Sequence, residues 1–294
     1  MDHAPSLSSK GRLAIIAGKG FLPLYVAKAA QMAGEQPLII ALRNEADGVF
    51  DGFETVTTGV GDLATIEGLL RDKGVKRVIL SGGVARRPDW RDIHPTLRTI
   101  LKVPSVLRTL LSGGDDSVLQ MVIKLIEAMG CQVLGAHEIV PDLLAKVGQI
   151  GAHAPSGDDL RDIEKACEAA RRLGELDIGQ GAVSVGGRLV ALEGVEGTDR
   201  MLERVVSLRA EGRISTRRKG VLVKLCKPQQ EMRADLPTIG PSTVENAIKA
   251  GLAGIAVEAG RALVLEEDKM IALADVAGLF VCGLDSGLPA GGLR

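Results

Sequence analysis

Two short apolar runs, RLAIIA at 12–17 and PLIIAL at 37–42, flank the turn GKGFLP and the stretch LYVAKAAQMAG. Apolar runs without alternation suit strands buried on both faces, as in a parallel sheet covered by helices. Parallel neighbours need a crossover, so 12–42 reads as a right-handed βαβ unit whose helix closes at Gly34. That unit commits the chain to the α/β class.

The same grammar continues. ETVTTGV reads as a third strand, DLATIEGLLRDKG as a helix capped by Asp62, and KRVILSGG as a strand running into glycines. After a basic, proline-containing segment, SVLQMVIKLIEAMG reads as a helix and CQVLGA as a last short strand. Residues 1–145 are therefore expected to form a Rossmann-like, doubly wound domain that binds nucleotide or substrate. The second half has another rhythm. GQGAVSVGGRLVALE predicts a hairpin at Gly186 and Gly187, followed by a helix at 199–211, a strand at 220–225, a helix at 242–250, and GIAVEA and ALVLE as paired strands. This makes 146–294 a mixed α+β domain, with the polar GAHAPSGDDL region as linker.

Composition narrows the function. A net charge of -1 gives no global basic field, and 2% aromatic residues leave few stacking platforms, so nucleic acid is not the expected partner. The four cysteines are far apart and form no CxxC pair, as expected of buried thiols in a reducing cytoplasm. The polar first ten residues are not a signal peptide, and no run of about 18 apolar residues occurs.

GKGFLP resembles a dinucleotide fingerprint only at its start. Pro23 stands where the third glycine belongs, and the second strand ends in Ala41, Leu42 and Arg43 rather than an acid. Gly18 and Gly20 still suit a backbone that approaches a phosphate at a helix N-terminus, or simply a tight strand-to-helix turn. Gly82 and Gly83 leave another strand end with Arg86 and Arg87 behind them, either lining the same crevice or forming a solvated loop. The segment 86–111 mixes six cations with apolar residues; it reads first as an ordinary helix pair packed on a core, and it also suits acyl chains or an anionic membrane surface. Asp115 and Asp116 open a helix, one as a cap and the other free for a metal or a ligand hydroxyl.

The densest acidic signals lie later. Glu193, Glu196 and Asp199 gather at spacing three beside Thr198, between a strand and a helix, where a cation would relieve their repulsion. Past Pro228 an extended chain would align Glu231, Arg233 and Asp235 on one face within reach of Lys227. Such a face suits Mg²⁺ beside a phosphate clamp, or a structural ion-pair ladder.

Taken in order, LAIIAGKGFLP, SGGVARRPDW, GDDSVL, ALEGVEGTDRML, KPQQEMRADLPTIG and AGLAGIAVEAG resemble the LpxI-type UDP-2,3-diacylglucosamine pyrophosphatases of lipid A biosynthesis. The resemblance covers nearly the whole chain. It implies a two-domain, Mg²⁺-dependent hydrolase, with Mn²⁺ as substitute, acting in the cytoplasm at the inner-membrane surface on a UDP-linked diacylated glucosamine lipid. Water would attack the α-phosphorus and release UMP and 2,3-diacylglucosamine 1-phosphate. By this resemblance Asp235 is a metal ligand or water-positioning base, supported by Glu231, Glu193, Glu196 and Asp199, with Lys227 and Arg233 on phosphates. Gly18, Gly20, Gly82, Gly83, Arg86, Asp115, Asp116 and Thr198 are the expected substrate contacts. Glu231 departs from the aspartate frequent at that place in the family. Homo-oligomerisation is left open. The competing readings are a non-catalytic UDP-sugar or lipid-binding protein and, with Pro23 against it, an NAD-dependent oxidoreductase.

Overall fold

A computed structural model of the chain describes residues 11–84 and 115–285, without the side chains of Asp115 and Asp116; Arg86 and the basic segment 86–111 lie outside the described residues. Two compact units result. One runs up to Pro141 and takes in Glu231–Asp235, and the other comprises Asp142–Gln230 and the chain from Leu236.

The first unit contains β1 (Arg12–Ala17), α1 (Leu22–Met32), β2 (Leu38–Leu42), β3 (Glu54–Thr58), α2 (Leu63–Asp72), β4 (Val75–Ser81), α3 (Asp115–Ala128), β5 (Gln132–Leu134) and α4 (Ala136–Ile139). Its five strands are all parallel in the order β3-β2-β1-β4-β5, the Rossmann order. Side chains of a strand alternate between faces, and the core divides accordingly. Ala14, Ile16, Leu38, Ile40, Val78 and Val133 pack on one face with Ile66 and Leu70 of α2 and Ile123 and Ile126 of α3. Leu13, Ile15, Ile39, Ala41, Ile79 and Leu134 pack on the other with Val26, Ala27 and Ala30 of α1. Asp62 caps α2 as expected, accepting from the Thr65 N–H at 3.1 Å. Pro23 lies inside the first turn of α1, where its missing N–H costs nothing, so the helix starts two residues earlier than the sequence reading placed it.

The second unit contains β6 (Gly148–Ile150), α5 (Gly157–Glu175), β7 (Gly181–Val185), β8 (Arg188–Leu192), α6 (Gly197–Ala210), β9 (Val221–Lys224), β10 (Thr238–Ile239), α7 (Pro241–Lys249), β11 (Gly254–Glu258), β12 (Leu263–Val264), α8 (Glu267–Ala277) and β13 (Phe280–Leu284). Its six-stranded mixed sheet runs β6-β13-β11-β9-β7-β8, with β9, β11 and β13 parallel at its centre. Helices α6, α7 and α8 cover one face, and α5 covers the other through Ile163, Ala166, Ala169 and Ala170. The hairpin stands where the Gly186-Gly187 signal put it, with φ of 64° and 78°. One pairing differs from expectation. ALVLE supplies β12, which joins β10 in a separate parallel pair, whereas β11 takes β9 and β13 as its neighbours. The neighbour that β11 does take, β13, comes only after α8, so the apolar run next in the chain is not its partner.

The four cysteines are free thiols, and burial pushes those of Cys167 and Cys282 up to about 12. A second buried polar group does more structural work. Asp162, 3% exposed on α5, accepts the Ser184 hydroxyl at 2.6 Å and the N–H groups of Gly186 and Gly187 at 2.8 and 2.6 Å. It ties three donors, the fully buried Ser184 hydroxyl among them, to α5. Asp162→Ala strands those donors, so its unfolding free energy should fall by about 3 kcal/mol, seen as a lower thermal midpoint.

Candidate active site

In the first unit the carboxyl ends of β1 and β4 meet at the point where strand order reverses, the place where ligands bind in open α/β sheets. Gly18, Gly82 and Gly83 come together here. The Gly18 N–H donates to Ser81 O at 2.8 Å, the Lys19 N–H to Gly83 O at 2.7 Å, and the Gly83 N–H returns to Lys19 O at 2.9 Å. Gly82 has φ 85°, and a Cβ there would lie 2.6 Å from Lys19 O. The Gly20 N–H goes to Asp47 Oδ1 at 2.8 Å. Of the four glycines expected to face a phosphate, Gly18, Gly20 and Gly83 thus have their N–H groups engaged within the protein, as does Lys19 between them. A dinucleotide pyrophosphate would have to displace both a backbone bridge and a carboxylate. An open cavity of about 540 Å³ lies close by at the end of β2, lined by Arg43, Asn44, Phe50, Asp51 and Thr55 among others.

The segment Glu231–Asp235 is not extended. The N–H groups of Ala234 and Asp235 both donate to Glu231 O at 3.0 Å, so the chain turns and the expected alternation of Glu231, Arg233 and Asp235 is lost. The turn brings Arg233 back over Glu231 in a two-pronged pair, Nε to Oε1 and Nη2 to Oε2, both 2.9 Å. Nη1 reaches Glu127 of α3 at 2.7 Å. Arg233 therefore holds the Glu231 carboxyl below its ordinary 4.5. Asp235 is half-buried beside this pair.

In the second unit Lys227 follows the carboxyl end of β9, its Nζ 2.7 Å from Asp177 and its N–H 2.8 Å from Gln230 Oε1. The acidic cluster lies past β8. Thr198 donates its hydroxyl to Glu193 Oε1 at 2.9 Å, Glu196 pairs with Arg204 at 3.1 Å, and Asp199 accepts from Asn246 at 3.0 Å. Glu193 is 6% exposed, and its Oε2 is buried with no partner. Gly181 makes room for it, since a side chain there would collide with that oxygen. No three His, Cys, Asp or Glu side chains assemble into a ready metal cluster among the described residues.

Family models describe both halves: the LpxI N-terminal domain matches residues 12–143 and the LpxI C-terminal domain residues 146–282. The chain belongs to the LpxI family. A UDP-2,3-diacylglucosamine pyrophosphatase LpxI from Caulobacter vibrioides is 42% identical over 276 residues, covering 93% of this LpxI chain and 98% of that protein. Among solved structures, UDP-glucose 4-epimerase of Thermus thermophilus in complex with NAD covers 95% of this chain and 88% of its own at 15% identity, with a TM-score of 0.30. That likeness is too low to carry an argument.

Three residues that sequence reasoning missed shape these LpxI sites: Asp47, which caps the Gly20 N–H, Asp177, which meets Lys227, and Glu127, which meets Arg233. Each partner lies at least 27 positions away, 27 for Asp47, 50 for Asp177 and 106 for Glu127, so no local spacing announced it. The depressed Glu231 pKa fixes a pH window. A carboxyl whose folded pKa lies below its unfolded value stabilises fully above about 4.5 and loses that contribution as pH falls through the folded pKa. The thermal midpoint of Glu231→Gln should therefore lie below wild type at pH 7 and converge on it as the pH is lowered past 4.5.

Proposed function

We propose that this chain hydrolyses the pyrophosphate of UDP-2,3-diacylglucosamine in lipid A synthesis, with water attacking the α-phosphorus to give UMP and 2,3-diacylglucosamine 1-phosphate. The observation that carries this reading is end-to-end identity of 42% with a pyrophosphatase of that name.

Hydrolysis of a phosphoric anhydride needs charge neutralised on the phosphoryl oxygens and a water held in line. Lys227 and Arg233 are the cations assigned to the phosphates. Both are fixed in place by carboxylates, so little rotamer freedom remains to be lost when an anion arrives. Asp235, beside the Glu231–Arg233 pair on a turn closed by its own N–H, is assigned to the attacking water or to a metal. Magnesium usually takes one or two carboxylates and completes its shell with water and substrate oxygens. The unpartnered buried oxygen of Glu193 fits such a donor, while Glu196, Asp199 and Glu231 are already paired. Mg²⁺, when held by Glu193 or Asp235, would neutralise the diphosphate and stabilise the leaving group.

The two acyl chains of the substrate bring the reaction to a lipid surface, so the chain would work as a peripheral protein on the cytoplasmic face of the inner membrane. No helix among the described residues is long and apolar enough to cross a membrane.

Incubation with UDP-2,3-diacylglucosamine in water enriched in oxygen-18, with Mg²⁺ or with EDTA, tests the reading by mass analysis of both products. Metal-dependent UMP carrying the heavy oxygen is expected. Label in the sugar phosphate would overturn the site of attack, and intact substrate throughout would favour a binding protein. Asp235→Ala should lower kcat by about a thousandfold or more while substrate binding and the thermal midpoint stay near wild type. Wild-type turnover in that variant would remove Asp235 from the mechanism.

A further inference from the structure

We propose that Asp177 is a positioning residue for Lys227, holding its ammonium group at the carboxyl end of β9 for a phosphoryl oxygen of the substrate. The inference rests on the phosphate role given to Lys227 above.

Asp177 is the second residue past α5, immediately after its C-cap Leu176. Its N–H donates to Gly174 O at 3.1 Å and the next N–H, of Ile178, to Leu173 O at 3.0 Å. This pair of bonds closes a helix through a residue in the left-handed region, and Asp177 has φ 53°. Glycine or asparagine is the usual occupant. An aspartate is disfavoured there on two counts: its Cβ strains the left-handed backbone, and its charge faces the negative end of the helix dipole. Capping does not offset either, because the capping bonds come from the backbone.

The side chain finds its compensation in Lys227. Oδ1 lies 2.7 Å from Nζ, with the two side chains 31% and 15% exposed. The lysine backbone is fixed from the same side. Gly174 in the last turn of α5 lets the chain pass close, for a Cβ there would sit 3.3 Å from Lys227 Cα and 3.2 Å from Pro228 Cδ. The Lys227 N–H is held by Gln230, whose amide in turn meets Gln180 at 3.4 Å. A locally unfavourable residue thus stands where it meets a largely buried lysine beyond a parallel strand's carboxyl end.

A structural ion pair and a positioning carboxylate differ in what glycine does at this place. Glycine relieves the left-handed strain, so Asp177→Gly keeps the fold and isolates the effect on Lys227. Asp177→Gly, Asp177→Glu, Lys227→Gln and the double variant Asp177→Gly with Lys227→Gln are assayed as full chains. The readouts are kcat and KM for UDP-2,3-diacylglucosamine and the thermal midpoint. Lys227→Gln should lose most of its kcat. Asp177→Gly should hold the midpoint, lower kcat by about ten- to hundredfold and change KM by less than about threefold. The double variant should be no slower than Lys227→Gln alone, and Asp177→Glu should regain part of the rate. The inference is overturned by wild-type kcat in Asp177→Gly alongside a slow Lys227→Gln, or by losses that add fully in the double variant. Wild-type rate in Lys227→Gln would instead remove the phosphate role of Lys227, and the positioning role with it.

Discussion

Burial of both faces of a parallel sheet is the constraint from which the rest of the structure follows. Once helices cover each face, strand interiors carry mostly apolar side chains, as in Leu13, Ile15 and Ile16 of β1 or Leu222 and Val223 of β9. Polar chemistry is pushed to strand ends. The carboxyl ends of β1 and β4 become a glycine junction, that of β9 leads to Lys227, and that of β8 leads to Glu193. The orphaned buried polar atoms among the described residues follow the same rule. Thr58 and Ser81 are the last residues of β3 and β4, Glu193 follows β8, and His137 lies three residues past β5.

Polar groups that do enter the interior act as clamps on turns. Asp162 gathers three donors of the β7–β8 hairpin. Arg209 is its cationic counterpart, donating to the carbonyls of Ser215, Arg218, Lys219, Ala250 and Gly251, and burial lowers its pKa. A planar guanidinium with five donors can serve several carbonyls at once, which a lysine cannot. Loops without regular ladders thereby obtain fixed geometry.

Much of this was legible in the residues because the strongest signals are local. RLAIIA marks β1 to the residue, Asp62 caps α2, and Gly186-Gly187 turns the hairpin. What escaped is non-local or balanced between readings. The helix α5 opens in GDDL, which looks like a polar linker because its buried stripe is half alanine and begins only at Asp162 and Ile163. The pairing of β12 with β10 depends on two-residue strands that no period can announce. The 231–235 segment has the polar alternation of an extended strand, yet a two-residue reach lets Arg233 close on Glu231, and that bidentate pair competes with extension. For the candidate site, the residue types pointed to phosphate chemistry, whereas the counter-ions Asp177 and Glu127 could be assigned only in three dimensions.

Both cations assigned to phosphate meet carboxylates before any substrate arrives. Lys227 has Asp177, and Arg233 has Glu231 and Glu127. Each carboxylate offsets part of the desolvation cost of a partly buried cation, and at position 177 that gain stands against the left-handed strain and helix dipole that the aspartate itself meets. The same pairing sets a condition on the substrate. On the proposed assignment, a phosphoryl oxygen at either cation would have to share it with a carboxylate or draw it away, and sharing would be favoured most as charge builds on that oxygen. Binding at such a cation would then be tempered in the ground state and strengthened as the reaction proceeds, which is the differential that accelerates a chemical step.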